Sequence, residues 1–229
     1  TREAGDSSGQ YAANPMLPWF FKPLFDAIYS EYQAADPLTE RADRNAAPWA
    51  FVGSMGELGE ALHRGYTQGD PSAIRSLFAE EGNLLHARHL ACTYGWWDPL
   101  VRVMQGLRSL YAHMSRQADW ARLVGEVTPF LFDSATDGPL PGREEQWIVV
   151  SEYRAQLAAG TGQWAEAERL QRLRLEWAGR SAAAALETPL KTLDDDQRNR
   201  IHTLAGAYLR LGNALREQDH PEECLHYYE

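Results

Sequence analysis

Short blocks with a common pattern recur along this chain. Each block has a small residue, an aromatic residue two positions later, and a small or apolar residue three positions after the aromatic one. The blocks read GWWDPL at 95–100, ADWARL at 118–123 and GQWAEA at 162–167, and an altered copy reads LGNAL at 211–215 followed by CLHYY at 224–228. This pattern is typical of the closure of a helical hairpin, and repeated hairpins stack into solenoids. The sequence therefore predicts an all-α solenoid of about ten helices.

The apolar residues follow helical spacing over most of the chain. Their stripes predict helices at 18–32, 48–66, 71–81, 84–95, 99–114, 120–130, 147–157, 164–177 and 201–215, and a last one from 221. Loops are predicted at 35–46 and at 133–142, where two Pro and two Gly fall within ten residues, and 81–83 is predicted to interrupt a helix. The acidic run at 194–196 is predicted to cap the helix that follows it.

These signals divide the chain into five parts. Residues 1–14 predict a disordered or extended tail, and 15–50 predict an N-terminal helical cap. Degenerate hairpins are predicted at 51–132, followed by the 133–142 loop. Further hairpins are predicted at 143–229, with an insertion near 179–193 and a truncated last repeat. The absence of an initiator Met and the helical pattern of the last residues predict a fragment of a longer protein.

Composition argues against several classes of function. The 32 Asp and Glu against 22 Lys and Arg give a net charge of −10, so neither nucleic acid nor an anionic membrane is an expected partner. Two cysteines predict a reducing, cytoplasmic location without a disulfide framework. No run of about 18 apolar residues predicts a transmembrane helix. Twenty Arg against two Lys is typical of a GC-rich bacterial genome.

The last block resembles a tetratricopeptide repeat. The residues that carry the likeness are Tyr208, Leu211, Gly212, Leu215, Cys224 and Tyr228. A second repeat is carried by Ala155, Ala158, Gly162, Trp164 and Ala167, with Gln171 in place of an aromatic residue. The likeness covers roughly residues 55–229 and needs insertions at 133–142 and 179–193. It implies a right-handed solenoid that binds other proteins, as a scaffold or a sensor module in signalling.

The resemblance also implies a peptide-binding groove formed by the first helices of the hairpins. The family's groove positions map onto His89, Arg108, Arg116, Gln156, Asn213 and Arg216. Three of these six are arginines, which favours an acidic peptide or protein segment as the partner. Leu209 stands where chaperone-tail clamps of this family have Lys, so a clamp of that kind is not expected.

Four further arginines fall on one predicted helix: Arg169, Arg172, Arg174 and Arg180. A solvated helix face is one interpretation. The other is a basic docking face for an acidic peptide or for another domain of the same chain. Docking on its own chain would suit a regulatory segment of a larger signalling enzyme, such as a nucleotide switch or a caspase-like peptidase. A third hypothesis is a small-ligand or nucleic-acid binder that uses Trp96 and these arginines.

No residue pattern predicts catalysis, a bound metal or a cofactor. His86, His89 and Cys92 are spaced by three on one predicted helix, but an HExxH pattern and a Cys pair are absent. A Cys–His dyad also needs an exposed thiolate and an oriented base. The GxxxxGK[ST] phosphate loop is missing. The tryptophans at the hairpin positions, Trp97, Trp120 and Trp164, are predicted to pack between helices.

Overall fold

The computed structural model describes the backbone at residues 37–218 and 221–227 and the side chains at 45–218 and 222–227. Over these residues there are eight α-helices: α1 (Pro37–Thr67), α2 (Pro71–Tyr94), α3 (Trp97–His113), α4 (Gln117–Val127), α5 (Glu144–Gly160), α6 (Trp164–Leu186), α7 (Asp195–Glu217) and α8 (Pro221–His226). Short 3-10 helices lie at Thr128–Phe130 and Leu190–Thr192, and one isolated β-bridge joins Phe132 to Pro139. The predicted all-α class is confirmed. None of the described helices has an apolar stretch long enough to cross a membrane.

The chain divides into two compact units, Thr1–Trp49 and Ala50–Glu229. The predicted tail at 1–14 and the predicted first helix at 18–32 lie outside the described residues. The predicted loop at 35–46 is wrong from residue 37 onward, because α1 begins there. Residues 40–47 consist largely of Glu, Arg and Ala, which are good helix formers despite their polar character.

Capping residues define several helix ends. Asp70 accepts a hydrogen bond from the Ser72 backbone N–H at 2.8 Å, and Pro71 occupies the first position of α2. Asp194 and Gln197 form a reciprocal capping box at the start of α7, with bonds of 2.7 and 3.0 Å. The predicted cap at 194–196 is therefore confirmed. The loop at 133–142 is confirmed as well, and α6 extends to residue 186 before the short loop that leads to α7.

α2 runs without a break through Gly82, so the predicted interruption at 81–83 is wrong. Glycine inside a helix costs only about 0.5–1 kcal/mol relative to alanine. Leu77 and Leu84 lie on either side of it on one fully buried face, and their burial outweighs that cost. Asn83 also donates a hydrogen bond to Glu80 within the helix, at 2.7 Å. This continuity is one reason why the described residues hold eight helices rather than about ten.

Successive helices pack against one another in chain order. α2 packs on α3, α5 on α6, α6 on α7 and α7 on α8, while α3 also contacts α5. The α1–α2 and α5–α6 connections turn at Gly69 and Gly162, whose φ angles are +86° and +75°. Glycine adopts this left-handed conformation without strain. Ser115 takes it between α3 and α4, with φ +56°.

The main core is largely aliphatic and includes a group of aromatic residues around Trp147. This side chain is fully buried, and its ring lies 6.0 Å from that of Phe132 and 5.8 Å from that of Trp177. The core extends from α1 to α5, whereas the C-terminal helices have two smaller clusters of their own. The helices after α5 therefore depend less on apolar burial and more on polar contacts than the helices of the main core do.

The tryptophans at the predicted hairpin positions differ in how deeply they are buried. Trp120 is buried against Tyr153, which confirms the predicted packing. Trp97 is half-buried and stacks on Phe130, with 5.4 Å between ring centroids. Trp164 is 38% exposed, so the packing prediction is wrong there. It is the first residue of α6 and follows an exposed turn.

Two glycines bring α1 and α3 into unusually close contact. A Cβ atom added to Gly106 would lie 2.9 Å from the Gly59 Cα and 3.1 Å from a methyl group of Leu77. Across the same contact, the His63 ring nitrogen Nδ1 and the Ser109 hydroxyl lie 2.7 Å apart. The two backbones can approach this closely only because neither glycine carries a side chain.

Glu152 of α5 is the centre of a buried polar network. It is 8% exposed, forms an ion pair with Arg174 of α6, and accepts hydrogen bonds from Gln156 at 2.6 Å and Gln171 at 3.1 Å. Arg210 of α7 lies 3.3 Å away. Arg174 also donates to a backbone carbonyl of α5 at 3.2 Å. The network ties three helices together where apolar burial is least extensive.

The glycine contact predicts opposite effects for two Gly→Ala substitutions. Gly106→Ala should lower the free energy of unfolding by about 1–3 kcal/mol, because the new methyl group meets backbone that cannot move aside easily. Gly82→Ala is the matched control, since a Cβ there meets nothing within 4 Å. It should raise stability by up to about 1 kcal/mol. Urea unfolding would measure both; equal effects would contradict the close α1–α3 contact.

The polar network predicts a large cost for removing its central carboxylate. Glu152→Ala should destabilise the unit by about 3–5 kcal/mol, because Arg174 would remain buried without its counter-charge. Arg180→Ala removes a pair whose side chains are about two-thirds exposed, and should cost less than about 1 kcal/mol. The double variant Glu152→Met with Arg174→Met should recover much of the loss in a denaturant titration. A single Glu152 variant as stable as the Arg180 variant would contradict this role.

Candidate binding surfaces

A small pocket lies between α3, α4 and α5, and two of the predicted groove residues line it. Its volume is about 220 Å³. The lining residues are Arg108, Tyr111 and Ala112 of α3, Gln117 and Trp120 of α4, and Gln156, Leu157 and Gly160 of α5. It is called the Arg108 pocket below. Of the six predicted groove residues, the structure brings Arg108 and Gln156 together here.

Arg108 is half-buried and is held by an aromatic ring. Its guanidinium carbon lies 5.5 Å from the ring centroid of Tyr153, within the range of a cation–π contact. Burial raises the pKa of Tyr153, so this ring stays neutral at ordinary pH. Tyr153 is fixed in turn by Trp120, whose ring lies 5.0 Å away in an edge-on arrangement. Among the described side chains, no carboxylate lies within ion-pair distance of Arg108.

Arg116 is engaged in a separate network. Its guanidinium contacts Glu81 of α2 at 2.7 Å and Asp119 of α4 at 2.8 Å. It also lies 4.4 Å from the ring centroid of Tyr111, whose hydroxyl donates to Glu81 at 2.9 Å. Burial, followed by the hydrogen bond to Glu81, raises the pKa of Tyr111 to about 12. Arg116 thus joins three helices and does not line the Arg108 pocket.

The other predicted groove residues lie elsewhere. His89 is exposed on α2, and Asn213 and Arg216 lie near the end of α7. The Arg216 guanidinium is 3.1 Å from the Glu217 carboxylate. None of the three lines the Arg108 pocket.

The four arginines of α6 do not form a uniform basic face. Arg174 is 8% exposed, so it cannot belong to an exposed docking face and the prediction is wrong for this residue. The other three are exposed, and each faces at least one carboxylate: Arg169 contacts Glu166 and Asp137, Arg172 contacts Glu168 and Glu223, and Arg180 contacts Glu176. Their charges are largely compensated, which favours the solvated-face interpretation.

The predicted histidine and cysteine positions do not come together. The His86 ring packs against Phe51, with 5.6 Å between centroids. Burial raises the pKa of the Cys92 thiol, which favours the thiol over the reactive thiolate. In the part of the chain that the structure describes, no group of three or more His, Cys, Asp or Glu side chains is placed to hold a metal ion.

A larger groove, which sequence reasoning missed, lies on the other side of α4. It has a volume of about 910 Å³ and is bounded by α4, α5, the start of α6 and the 131–143 loop. It is called the α4–α6 groove below. Small residues at 118, 121 and 125 recur with helical spacing and could have indicated an open second face of α4.

Asp137 holds the 131–143 loop against the helices that bound this groove. Its carboxylate contacts Arg154 at 2.6 Å and Arg169 at 2.5 Å, and its backbone carbonyl accepts from the Trp147 indole at 3.0 Å. Its φ angle is +60°, a conformation that Asp tolerates better than most residues. Burial acts to raise the pKa of Asp137, but the hydrogen bonds and charges of the two arginines outweigh it and lower the pKa.

The chain matches no protein-family model, no curated protein and no solved structure. The two surfaces and the residues that resemble a tetratricopeptide repeat are therefore the features that bear on function.

The Asp137 contacts predict a pH-dependent stabilisation of the loop. Asp137→Asn keeps a residue that tolerates positive φ but removes the charge, and should cost about 1–2 kcal/mol at pH 7. Because the folded pKa is depressed, this stabilisation is present above the unfolded value of about 3.9 and is lost as the pH falls through the folded value. The difference between native chain and variant in urea unfolding should therefore shrink from pH 7 towards pH 2. A difference that stays constant, or a Glu176→Gln control with the same profile, would contradict the assignment.

Proposed function

We propose that the Ala50–Glu229 unit is a tetratricopeptide-like, right-handed solenoid that binds a protein or peptide partner, as a scaffold or sensor module. Support comes from the order of contacts. From α2 onward each helix packs on the next, most extensively α2 on α3 and α6 on α7. Alternate helices also touch: α1 and α3 at Gly59 and Gly106, α3 and α5, and α5 and α7 at Glu152 and Arg210. Contact between neighbouring units is what stacked hairpins require.

The observation that carries the binding function is the state of Arg108. It is a half-buried cation that is oriented by an aromatic ring and has no carboxylate partner among the described side chains. A partly desolvated charge gains most from an opposite charge that a partner brings. The arginines on α6 make a useful contrast, because each of those charges is already compensated within the chain.

The rest of the Arg108 pocket suits one acidic side chain of a longer peptide. Its volume of about 220 Å³ is below the range of roughly 300–1,000 Å³ that is usual for whole small-molecule sites. Tyr111 and Trp120 supply apolar walls, while the amides of Gln117 and Gln156 can hydrogen-bond a carboxylate or a peptide backbone. The proposed ligand is therefore an acidic segment of a protein rather than a small molecule.

A cytoplasmic location is part of this proposal. Cys92 is half-buried and Cys224 is buried, and no disulfide joins them. Free thiols persist where the surroundings are reducing.

The proposal predicts that one arginine controls binding of acidic peptides. The probes are fluorescein-labelled 12-residue peptides in which Glu alternates with Ala and Leu, and counterparts in which Gln or Lys replaces Glu. Fluorescence anisotropy should show saturable binding of the Glu peptide only. Arg108→Gln should weaken it by about tenfold or more, the usual effect of losing a hydrogen bond to a charged group.

The matched control is Arg180→Gln, which removes an exposed arginine that already faces Glu176. It should leave the dissociation constant unchanged, and both variants should keep the native circular dichroism spectrum. Because the chain has eight tryptophans, a change in intrinsic fluorescence on binding would place the peptide at the pocket only if Trp120→Phe abolishes it. Equal effects of the two substitutions, or no saturation below about 1 mM, would reject the proposal.

A further inference from the structure

The α4–α6 groove exists because α4 has two apolar faces. Trp120, Leu123 and Val127 face the core and are buried. Ala118, Ala121 and Gly125 line the groove and are exposed. This helix has 11 residues. An apolar helix face that is open to solvent is typical of a protein interaction surface.

The shape of the groove suits an α-helix. Its bed is formed by Val124, Leu157, Ala158 and Leu170, and the small residues of α4 form one wall. Small side chains let two helix backbones come close, as Gly59 and Gly106 do inside this unit. Its volume of about 910 Å³ is about four times that of the Arg108 pocket, so it can take more than one side chain.

The charges around the groove favour a partner that carries a positive charge. Three of the charged lining residues are paired: Asp137 and Glu166 contact Arg169, and Arg154 contacts Asp137. Asp133, in the loop at the edge of the groove, has no cation partner among the described side chains. Hydrogen bonds from Thr136 and Ala135 lower its pKa, so it is charged at neutral pH. The groove therefore combines an apolar bed with one uncompensated negative charge.

We propose that the α4–α6 groove docks an amphipathic α-helix of a partner protein, with its apolar face on Ala118, Ala121 and Gly125 and a Lys or Arg near one end paired with Asp133. This is the helix-in-groove mode of recognition, in which apolar anchors at helical spacing provide the affinity and a flanking charge sets orientation. The groove shares Gln117 and Leu157 with the Arg108 pocket but selects the opposite charge, so the two proposals can be tested independently.

The test uses designed 16-residue helical peptides with a Leu and Ala face and a single Lys, placed near the N-terminus in one peptide and near the C-terminus in the other. Matched peptides carry Glu in place of Lys. Isothermal titration calorimetry should show that one Lys peptide binds at least about fivefold more tightly than its Glu counterpart. Ala121→Trp, an exposed substitution that fills the groove, should weaken that binding by at least tenfold.

Asp133→Asn isolates the charge. The Asp133 carboxylate oxygen Oδ1 accepts from the backbone N–H groups of Ala135 and Thr136 at 3.0 and 2.9 Å, and an Asn oxygen can do the same. This variant should therefore keep the loop but lose the preference for Lys over Glu. Asp195→Asn removes a fully exposed carboxylate on α7 and should keep the preference.

Three results would overturn the proposal. One is that no Lys peptide saturates below about 1 mM. Another is that Ala121→Trp leaves the affinity unchanged, which would place binding elsewhere. The third is a concentration-dependent dimer in sedimentation analysis that Ala121→Trp abolishes, which would assign the groove to a second copy of this chain. Arg108→Gln should not alter binding of the Lys peptide, which keeps failure here distinct from failure of the proposed acidic-peptide site.

Discussion

The buried carboxylate of Glu152 is the contact on which the C-terminal half of the structure depends. It lies on α5 and faces a guanidinium from α6 and another from α7. A buried charge without its partner costs several kcal/mol, so these helices have to meet in one register to satisfy it. The same network fixes the face of α5 that carries Tyr153 and Gln156. Because Tyr153 orients Arg108 and Gln156 lines the Arg108 pocket, the geometry of that surface follows from an interaction inside the unit.

The arginines of this chain show why charge alone does not identify a binding residue. Arg174 and Arg108 are both at least partly buried on helices. The first neutralises Glu152, whereas the second lies over the ring of Tyr153 and has no carboxylate within ion-pair distance among the described side chains. Arg116 is a third case, since it joins α2 to α4 through two carboxylates. An arginine is available to a partner only where the fold leaves its charge uncompensated, and that is a property of neighbouring helices rather than of spacing within one helix.

Local rules explain which features the sequence could predict. The Asp194 capping box and the loop at 133–142 depend on residues close in sequence, and both were predictable. The continuity of α2 through Gly82 was not predictable, because burial of the residues on either side overrides a local cost of less than about 1 kcal/mol. Trp164 occupies the same hairpin position as Trp120, yet one is exposed and the other buried. Only the arrangement of helices distant in sequence decides between them.

The two candidate surfaces also differ in how far the sequence alone could predict them. The resemblance to a tetratricopeptide repeat gave six groove residues, and the structure places two of them, Arg108 and Gln156, in one pocket. The α4–α6 groove could not be located from sequence, because its shape depends on the 131–143 loop, which Asp137 ties to α5 and α6 through Arg154 and Arg169. Gln117 and Leu157 line both surfaces, so a ligand at either one contacts the wall of the other. Any free-energy coupling carried by that shared wall must be reciprocal. For the two proposed ligands, any effect of the acidic segment on the affinity of the basic-ended helix would be matched by an equal effect in the other direction.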